Sequence, residues 1–105
     1  MKLQQAYLNV AARLPSTPDI KVRLDRAYDI IRCNGEGYSI QLPFKAGQPY
    51  TVHKASTSLL EDTSVSYTVT PQSCTCPDAA KTRTGLCKHR LAILLLQEMG
   101  EHPYA

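Results

Sequence analysis

The sequence feature that most constrains this chain is the spacing of three cysteines and one histidine near its C-terminal end. Cys74 and Cys76 form a Cys-x-Cys pair, ten residues follow, and Cys87 and His89 form a Cys-x-His pair. Two local pairs joined by a loop are an arrangement with which proteins surround a tetrahedral metal ion. The fourth cysteine, Cys33, lies far away in the sequence, so this clustering favours a metal site over a framework of disulfides.

Three thiolates and one imidazole predict a single structural zinc ion. Four such ligands close the coordination shell, whereas a catalytic zinc keeps one position open for water. The chain has no His-Glu-x-x-His sequence near the cluster, and Cys33 and His53 lack the spacing of a nucleophile and its base. We therefore predict that the protein is not an enzyme. Cys33 is expected to behave as a small apolar residue, and His53 and His102 are expected to face solvent.

Length and composition exclude several classes of protein. The 105 residues, 43% of them hydrophobic, are enough for one domain with a small core that a metal would stabilise strongly. A net charge of +3 permits a nucleic-acid partner without requiring one. No apolar run reaches the roughly 18 residues of a membrane span, and the start, MKLQQAYLNVAARL, lacks the order of a secretory signal. We expect an intracellular protein of the cytoplasm, nucleoid or nucleus, a reducing compartment, with no evident small-molecule substrate.

Residues 1–35 predict a helical hairpin. Apolar residues recur at helical spacing over residues 2–14, and Pro15 ends this helix. Thr17, as N-cap before Pro18, begins a second helix that continues to residue 32. The glycines of the following NGEG sequence can end it in a left-handed conformation.

Residues 36–105 predict strands followed by one more helix. Apolar and polar residues alternate in three stretches, with Leu59 and Leu60 in the last loop between them, either in the core or exposed as a contact. The final helix, 86–99, ends at Gly100 and is apolar on nearly every side, so it must be covered by more than one layer or by a partner. The three stretches lie at 38–42, 50–52 and 65–69.

The segment CTCPDAAKTRTGLCKHRLAILL resembles a SWIM-type zinc finger, whose pattern is Cys-x-Cys, a variable loop and Cys-x-His. Pro77 after the second cysteine, the Cys-Lys-His triplet and the apolar run that follows also match this family. The resemblance covers residues 64–97, and residues 18–33 resemble the segment that often precedes the finger in prokaryotic members. The resemblance to the SWIM family implies a ββα finger over residues 64–100. In a chain this short, it also implies a stand-alone accessory protein or a piece of something larger.

These features together predict an α+β fold in one domain of residues 1–105. A helical hairpin would be followed by a small antiparallel sheet and a ββα zinc finger with a C-terminal helix. The residues between the ligand pairs, PDAAKTRTGL, are expected to form a polar loop, with Pro77 ending any pairing of the strand before it.

The resemblance implies binding to DNA, to protein or to both. Four basic residues near the ligands would contact phosphates and would also lower the pKa of the cysteine thiols. The alternative is a protein-interaction adaptor or a homodimer that uses the apolar C-terminal helix, with the zinc purely structural. Low net charge and the lack of a polar recognition helix count against the first hypothesis, and both remain open. The basic residues are Lys81, Arg83, Lys88 and Arg90.

Overall fold

A computed structural model gives the chain four helices and three strands in the residues that it describes, which are 3–32, 37–43, 48–55, 64–70, 73–81 and 86–100. The predicted α+β class is confirmed. None of the described helices is long and apolar enough to cross a membrane. The helices are Leu3–Arg13 (α1), Pro18–Arg32 (α2), Pro77–Lys81 (α3) and Lys88–Glu98 (α4), and the strands are Tyr38–Gln41 (β1), Tyr50–Lys54 (β2) and Val65–Val69 (β3).

The two N-terminal helices lie where they were predicted, although α1 ends one residue earlier than the predicted residue 14. α1 ends at Arg13, two residues before Pro15. α2 begins at Pro18, and the Ile20 N–H donates a hydrogen bond to Thr17 Oγ1 at 3.3 Å, so Thr17 is the N-cap. Five residues singled out in the sequence, Cys33, Leu59, Leu60, Arg83 and His102, lie outside the described part of the chain.

The strands form an antiparallel sheet in the order β1-β2-β3. Val52 in the middle strand pairs with Ile40 on one side and with Tyr67 on the other, so the apolar positions share one face. The opposite face is polar, and there His53 Nδ1 lies 2.8 Å from Ser66 Oγ. The alternation of the sequence therefore places one face of the sheet against the core.

α4 lies between the helical hairpin and the sheet. Leu91, Ala92 and Leu95 pack with buried residues of α1 and α2, whereas Ile93 packs with the sheet. Each of these four side chains is 0% exposed. The chain itself thus covers opposite sides of this helix, which explains why the helix is apolar nearly all round. It ends before Gly100, whose positive φ of 77° is the left-handed conformation expected there.

Candidate metal centre

The Cys-x-Cys pair is held by a reversal of the chain after β3. Cys74 forms an isolated antiparallel bridge with Val69. The Thr75 N–H donates to the Thr68 carbonyl at 3.1 Å, and the Thr68 N–H donates to Thr75 Oγ1 at 3.0 Å. Thr75 therefore satisfies both backbone groups of Thr68 and fixes the chain between the two cysteines.

The Cys-x-His pair lies at the beginning of α4. Cys87 is the N-cap, with the extended backbone typical of that position (φ −80°, ψ 170°), and its carbonyl accepts the Leu91 N–H at 3.1 Å. The N-terminal end of a helix carries partial positive charge, which stabilises a thiolate there. The first turn of α4 then brings His89 next to Cys87, and both side chains are buried.

The four predicted ligands meet at one point. The sulfur atoms of Cys74, Cys76 and Cys87 and a ring nitrogen of His89 all lie within 4.8 Å of one another. Cys74 Sγ lies 3.7 Å from His89 Nδ1. A tetrahedral zinc ion with Zn–S distances of about 2.3 Å and a Zn–N distance of about 2.0 Å separates its ligand atoms by roughly 3.5–3.8 Å. The cluster therefore fits one structural zinc ion, as the sequence predicted.

Before a metal binds, hydrogen bonds inside the cluster favour a single thiolate. The pKa of Cys87 is lowered to about 3, chiefly because the Cys74 thiol donates a hydrogen bond to its sulfur. The same hydrogen bond raises the pKa of Cys74. Burial raises the pKa of Cys76, although the Ala79 N–H opposes this effect. A zinc ion must therefore displace protons from Cys74 and Cys76.

Nearby lysines and arginines were predicted to lower the pKa of the thiols, but they are not among the largest causes. Those causes are hydrogen bonds between the ligands, burial and backbone N–H groups such as that of Arg90. A cation that does act with Cys87 is Arg23 of α2, whose own pKa the Cys87 thiolate helps to raise. Arg23 was not among the basic residues predicted to act on the thiols.

Arg23 also links the helical hairpin to the metal centre. Its Nε and Nη2 donate to the two carboxylate oxygens of Asp78 at 2.9 and 3.0 Å, a bidentate ion pair. This pair raises the pKa of Arg23 and lowers the pKa of Asp78. The two residues are 55 positions apart, so no local pattern in the sequence indicates the contact.

The loop between the ligand pairs differs from its prediction. Pro77 does not only end the pairing of β3; it begins the short helix Pro77–Lys81. Proline is favoured at the first position of a helix because it needs no hydrogen-bond acceptor there and its φ is already helical. The expectation of a purely irregular loop was therefore wrong for residues 77–81, and residues 82–85 lie outside the described part.

A cleft of about 300 Å³ lies beside the metal ligands. Two of the four predicted phosphate contacts, Lys81 and Lys88, line this cleft, and Lys54 of β2 adds a third ammonium group that the sequence analysis missed. Arg90 is half-buried in the first turn of α4, and Arg83 lies outside the described residues. Among the residues that the structure describes, those that line the cleft are Tyr38, Lys54, Tyr67, Cys76, Pro77, Asp78, Lys81, Lys88 and His89.

Comparison with known proteins finds a match in the same segment. Residues 59–98 match the family model described as SWIM zinc finger. No curated protein and no solved structure matches the chain. The matched segment contains all four clustered ligands, so the resemblance drawn from the Cys-x-Cys and Cys-x-His pairs is confirmed.

Proposed function

We propose that this SWIM zinc finger protein is a binding module that holds nucleic acid against the lysines beside its metal centre. The observation that carries the proposal is the convergence of Lys54, Lys81 and Lys88 on one cleft. These residues come from β2, α3 and α4, three elements that the zinc ligands and the sheet hold together. Ammonium groups gathered at one place on a rigid surface attract phosphates.

The acidic residue that the structure describes at the cleft does not cancel this charge. Asp78 lines the cleft, but both of its oxygens accept hydrogen bonds from Arg23. A zinc ion with three thiolates and a neutral imidazole adds a net charge of about −1. Lys54 and Lys81 are exposed to solvent and Lys88 is half-buried, so among the described residues at the cleft the three ammonium groups exceed the uncompensated negative charge.

The zinc ion would shape this surface and take no part in chemistry, because four protein ligands leave it no position for water. The alternative function, an adaptor or homodimer that uses the C-terminal helix, was suggested by the apolar side chains of that helix. Leu91, Ile93 and Leu95 are fully buried within the chain, which removes the main reason for the alternative. Nucleic-acid binding is therefore the better supported of the two functions.

Binding to labelled duplex and single-stranded DNA, measured by fluorescence anisotropy across a salt series, tests the proposal. We expect weak binding that depends steeply on salt. Replacing Lys54, Lys81 and Lys88 together with glutamine should lower the affinity by about tenfold or more and the magnitude of the log–log salt slope by about 2–3, since each phosphate contact contributes about 0.7–0.9 to that slope.

A matched control removes three positive charges elsewhere. Arg13, Lys21 and Arg32 are exposed on α1 and α2 and do not line the cleft, so their replacement with glutamine should change the affinity far less. Equal losses in the two triple variants would mean that only net charge matters, and the proposed surface would be wrong. Absent DNA binding together with a dimeric mass by light scattering would instead support the protein-interaction alternative.

A further inference from the structure

Two tyrosine rings line the same cleft as the three lysines. We infer that this cleft is a nucleobase-stacking site, so that the protein prefers single-stranded to double-stranded nucleic acid. The inference rests on the proposed nucleic-acid function and specifies the form of the ligand.

Tyr38, Lys54 and Tyr67 belong to one face of the sheet. Tyr38 in β1 pairs with Lys54 in β2, and Tyr67 in β3 pairs with Val52, two residues before Lys54. Side chains two residues apart on a strand, and those paired across strands, lie on the same face. The two rings and the ammonium group therefore come together at one end of the face that packs against α4.

Among the described residues, this end of the sheet face is less covered than the remainder of the face. Tyr50, Val52 and Val69 are at most 1% exposed and pack with Ile93. Tyr38 and Tyr67 are only half-buried, and the cleft begins where they lie. The apolar face thus continues past the core as an aromatic surface with lysines at its edge. A core alone requires neither the opening nor the cations.

Both rings are held in place by the elements of the metal centre. The Lys88 Nζ lies 5.9 Å from the centroid of the Tyr38 ring, above its face, so a cation already approaches this ring from α4. The Tyr67 ring packs against the ligand His89, with 4.8 Å between ring centroids and an angle of 32° between planes. Preorganised rings lose little conformational freedom when a base stacks on them.

An unpaired nucleotide offers what this cleft can bind, namely a flat base together with a negatively charged phosphate. Proteins that bind single strands combine aromatic side chains for stacking with a positively charged groove for the backbone. In a duplex the faces of the bases are covered by their neighbours, and only phosphates and base edges can be contacted. α4, whose apolar residues are buried in the core, is not placed to enter a major groove. The cleft therefore favours a single strand.

The test is a comparison of tyrosine variants on single-stranded DNA, single-stranded RNA and duplex DNA of equal length. The wild-type protein should bind at least one of the single strands about tenfold more tightly than the duplex. Tyr38→Leu, which keeps an apolar side chain against the core, should weaken single-strand binding at least about fivefold, the effect of losing one base stack. Duplex binding should change less than about twofold, and the salt slope should stay the same because no charge is removed.

Two controls separate stacking from loss of structure. Tyr38→Phe keeps the ring and should bind like the wild type. Tyr28→Leu makes the same substitution at a half-buried tyrosine of α2, which packs edge-on against Tyr7, and should also bind like the wild type. Zinc content and circular dichroism of each variant establish that it is folded.

Photo-crosslinking of the wild-type protein tests the stacking site without any substitution. A single strand with one 5-iodouracil should crosslink to the peptide that contains Tyr38 or the one that contains Tyr67. Equal affinity for single strands and duplex, an unaffected Tyr38→Leu protein or a crosslink elsewhere would overturn the inference. Lysine-dependent binding without any effect of Tyr38 would leave the proposed function standing, whereas absent binding to every nucleic acid would remove both.

Discussion

α4 has a helical side and a sheet side, and the two are stabilised by different means. On the helical side, the described residues form a cluster of eight buried apolar residues that joins α4 to α1 and α2. On the sheet side, the cluster of buried residues in the described part of the chain has four members, Ile93, Tyr50, Val52 and Val69, and four metal ligands lie next to this smaller cluster. A region with few apolar residues can use a metal ion in place of a larger core.

The two sides are joined by α4 itself and by polar contacts between distant parts of the chain. Arg23 of α2 holds Asp78 of α3 near the metal centre. At the other end of α4, Glu98 accepts hydrogen bonds from Asn9 at 3.2 Å and from Arg13 at 2.8 Å, both in α1. We therefore expect loss of zinc to destabilise mainly the sheet side and truncation of the helical core to destabilise mainly the helical side. Disruption of the contacts that link the two sides should affect both.

Removal of the zinc ion should have the largest effect. Binding free energies of structural zinc sites in finger peptides are about 10–16 kcal/mol, and most of this energy stabilises the fold. A strong chelator, or Cys87→Ser, should unfold the sheet side while α1 and α2 keep residual helix. Hydrogen exchange checks this, because the amide protons of Thr68 and Thr75 should lose protection first. Cys33→Ser, outside the ligand set, is the control and should leave hydrogen-exchange protection almost unchanged. Equal loss of protection in α2 and β3 would show that the helical side also depends on the zinc ion.

Leu24→Ala should have the next largest effect. Leu24 is 2% exposed in the helical cluster, and truncation of such a side chain costs about 2–5 kcal/mol of the free energy of unfolding. Chemical denaturation measures the loss, and metal analysis should still find one zinc per chain because every ligand lies outside α2. Val22→Ala in the same helix is the control, since Val22 is 48% exposed and should change stability by less than about 0.5 kcal/mol. A Leu24→Ala protein that folds but no longer binds zinc would show that the two sides are not separable.

Zinc affinity should depend on pH near neutrality, whereas the stability of the helical side should not. The raised pKa values of Cys74 and Cys76 mean that both thiols are protonated at neutral pH before the metal binds, and that zinc releases both protons. Cys87, with its pKa lowered to about 3, is already a thiolate and releases none. Between about pH 7 and pH 8.5, the logarithm of the zinc affinity should rise by about 2 per pH unit, and zinc-dependent stability should be lost as the pH falls.

Competition with a chelator of known pH dependence measures this slope. A slope near 3 would indicate that Cys87 is protonated as well. A slope near zero would mean that the thiols are already ionised before zinc binds. Either result would contradict the hydrogen bonds found inside the cluster.

The Arg23–Asp78 ion pair should have the smallest effect. A double-mutant cycle with Arg23→Gln and Asp78→Asn should give a coupling energy of about 1 kcal/mol, because the pair is bidentate but partly exposed. The folded state lowers the pKa of Asp78 below its ordinary value of 3.8, so this contribution is present above that pH and is lost as the pH falls further. The Asp29–Arg32 pair lies within α2 and is the control, with about 0.2–0.5 kcal/mol expected. Equal coupling in the two cycles would remove Arg23 as the link between the sides.

The metal centre was predictable because its signal is local. All four ligands lie between Cys74 and His89, and their spacing alone indicates two ligand pairs. The start of α2 was predictable for the same reason, since Thr17 and Pro18 are adjacent signals. Pro77 was ambiguous, because proline both ends a strand and begins a helix, and only the structure decides between these roles.

The residues that could not be predicted are those brought to the site by the tertiary fold. Arg23 reaches Asp78 only because α2 packs against α4, and Lys54 reaches the cleft only through the register of β1 with β2. The covering of α4 was equally undetermined, since an apolar helix is consistent with burial by its own chain or by a partner. The proposed nucleic-acid surface therefore combines two lysines visible in the sequence with one that pairing of the strands adds.

X-ray absorption spectroscopy at the zinc edge, on purified protein with the metal content measured per chain, tests the central claim most directly. The account predicts one zinc ion per chain, with three sulfur ligands at about 2.3 Å and one nitrogen ligand at about 2.0 Å. Protein that folds without bound zinc would contradict it, and so would a zinc ion with any other set of sulfur and nitrogen ligands.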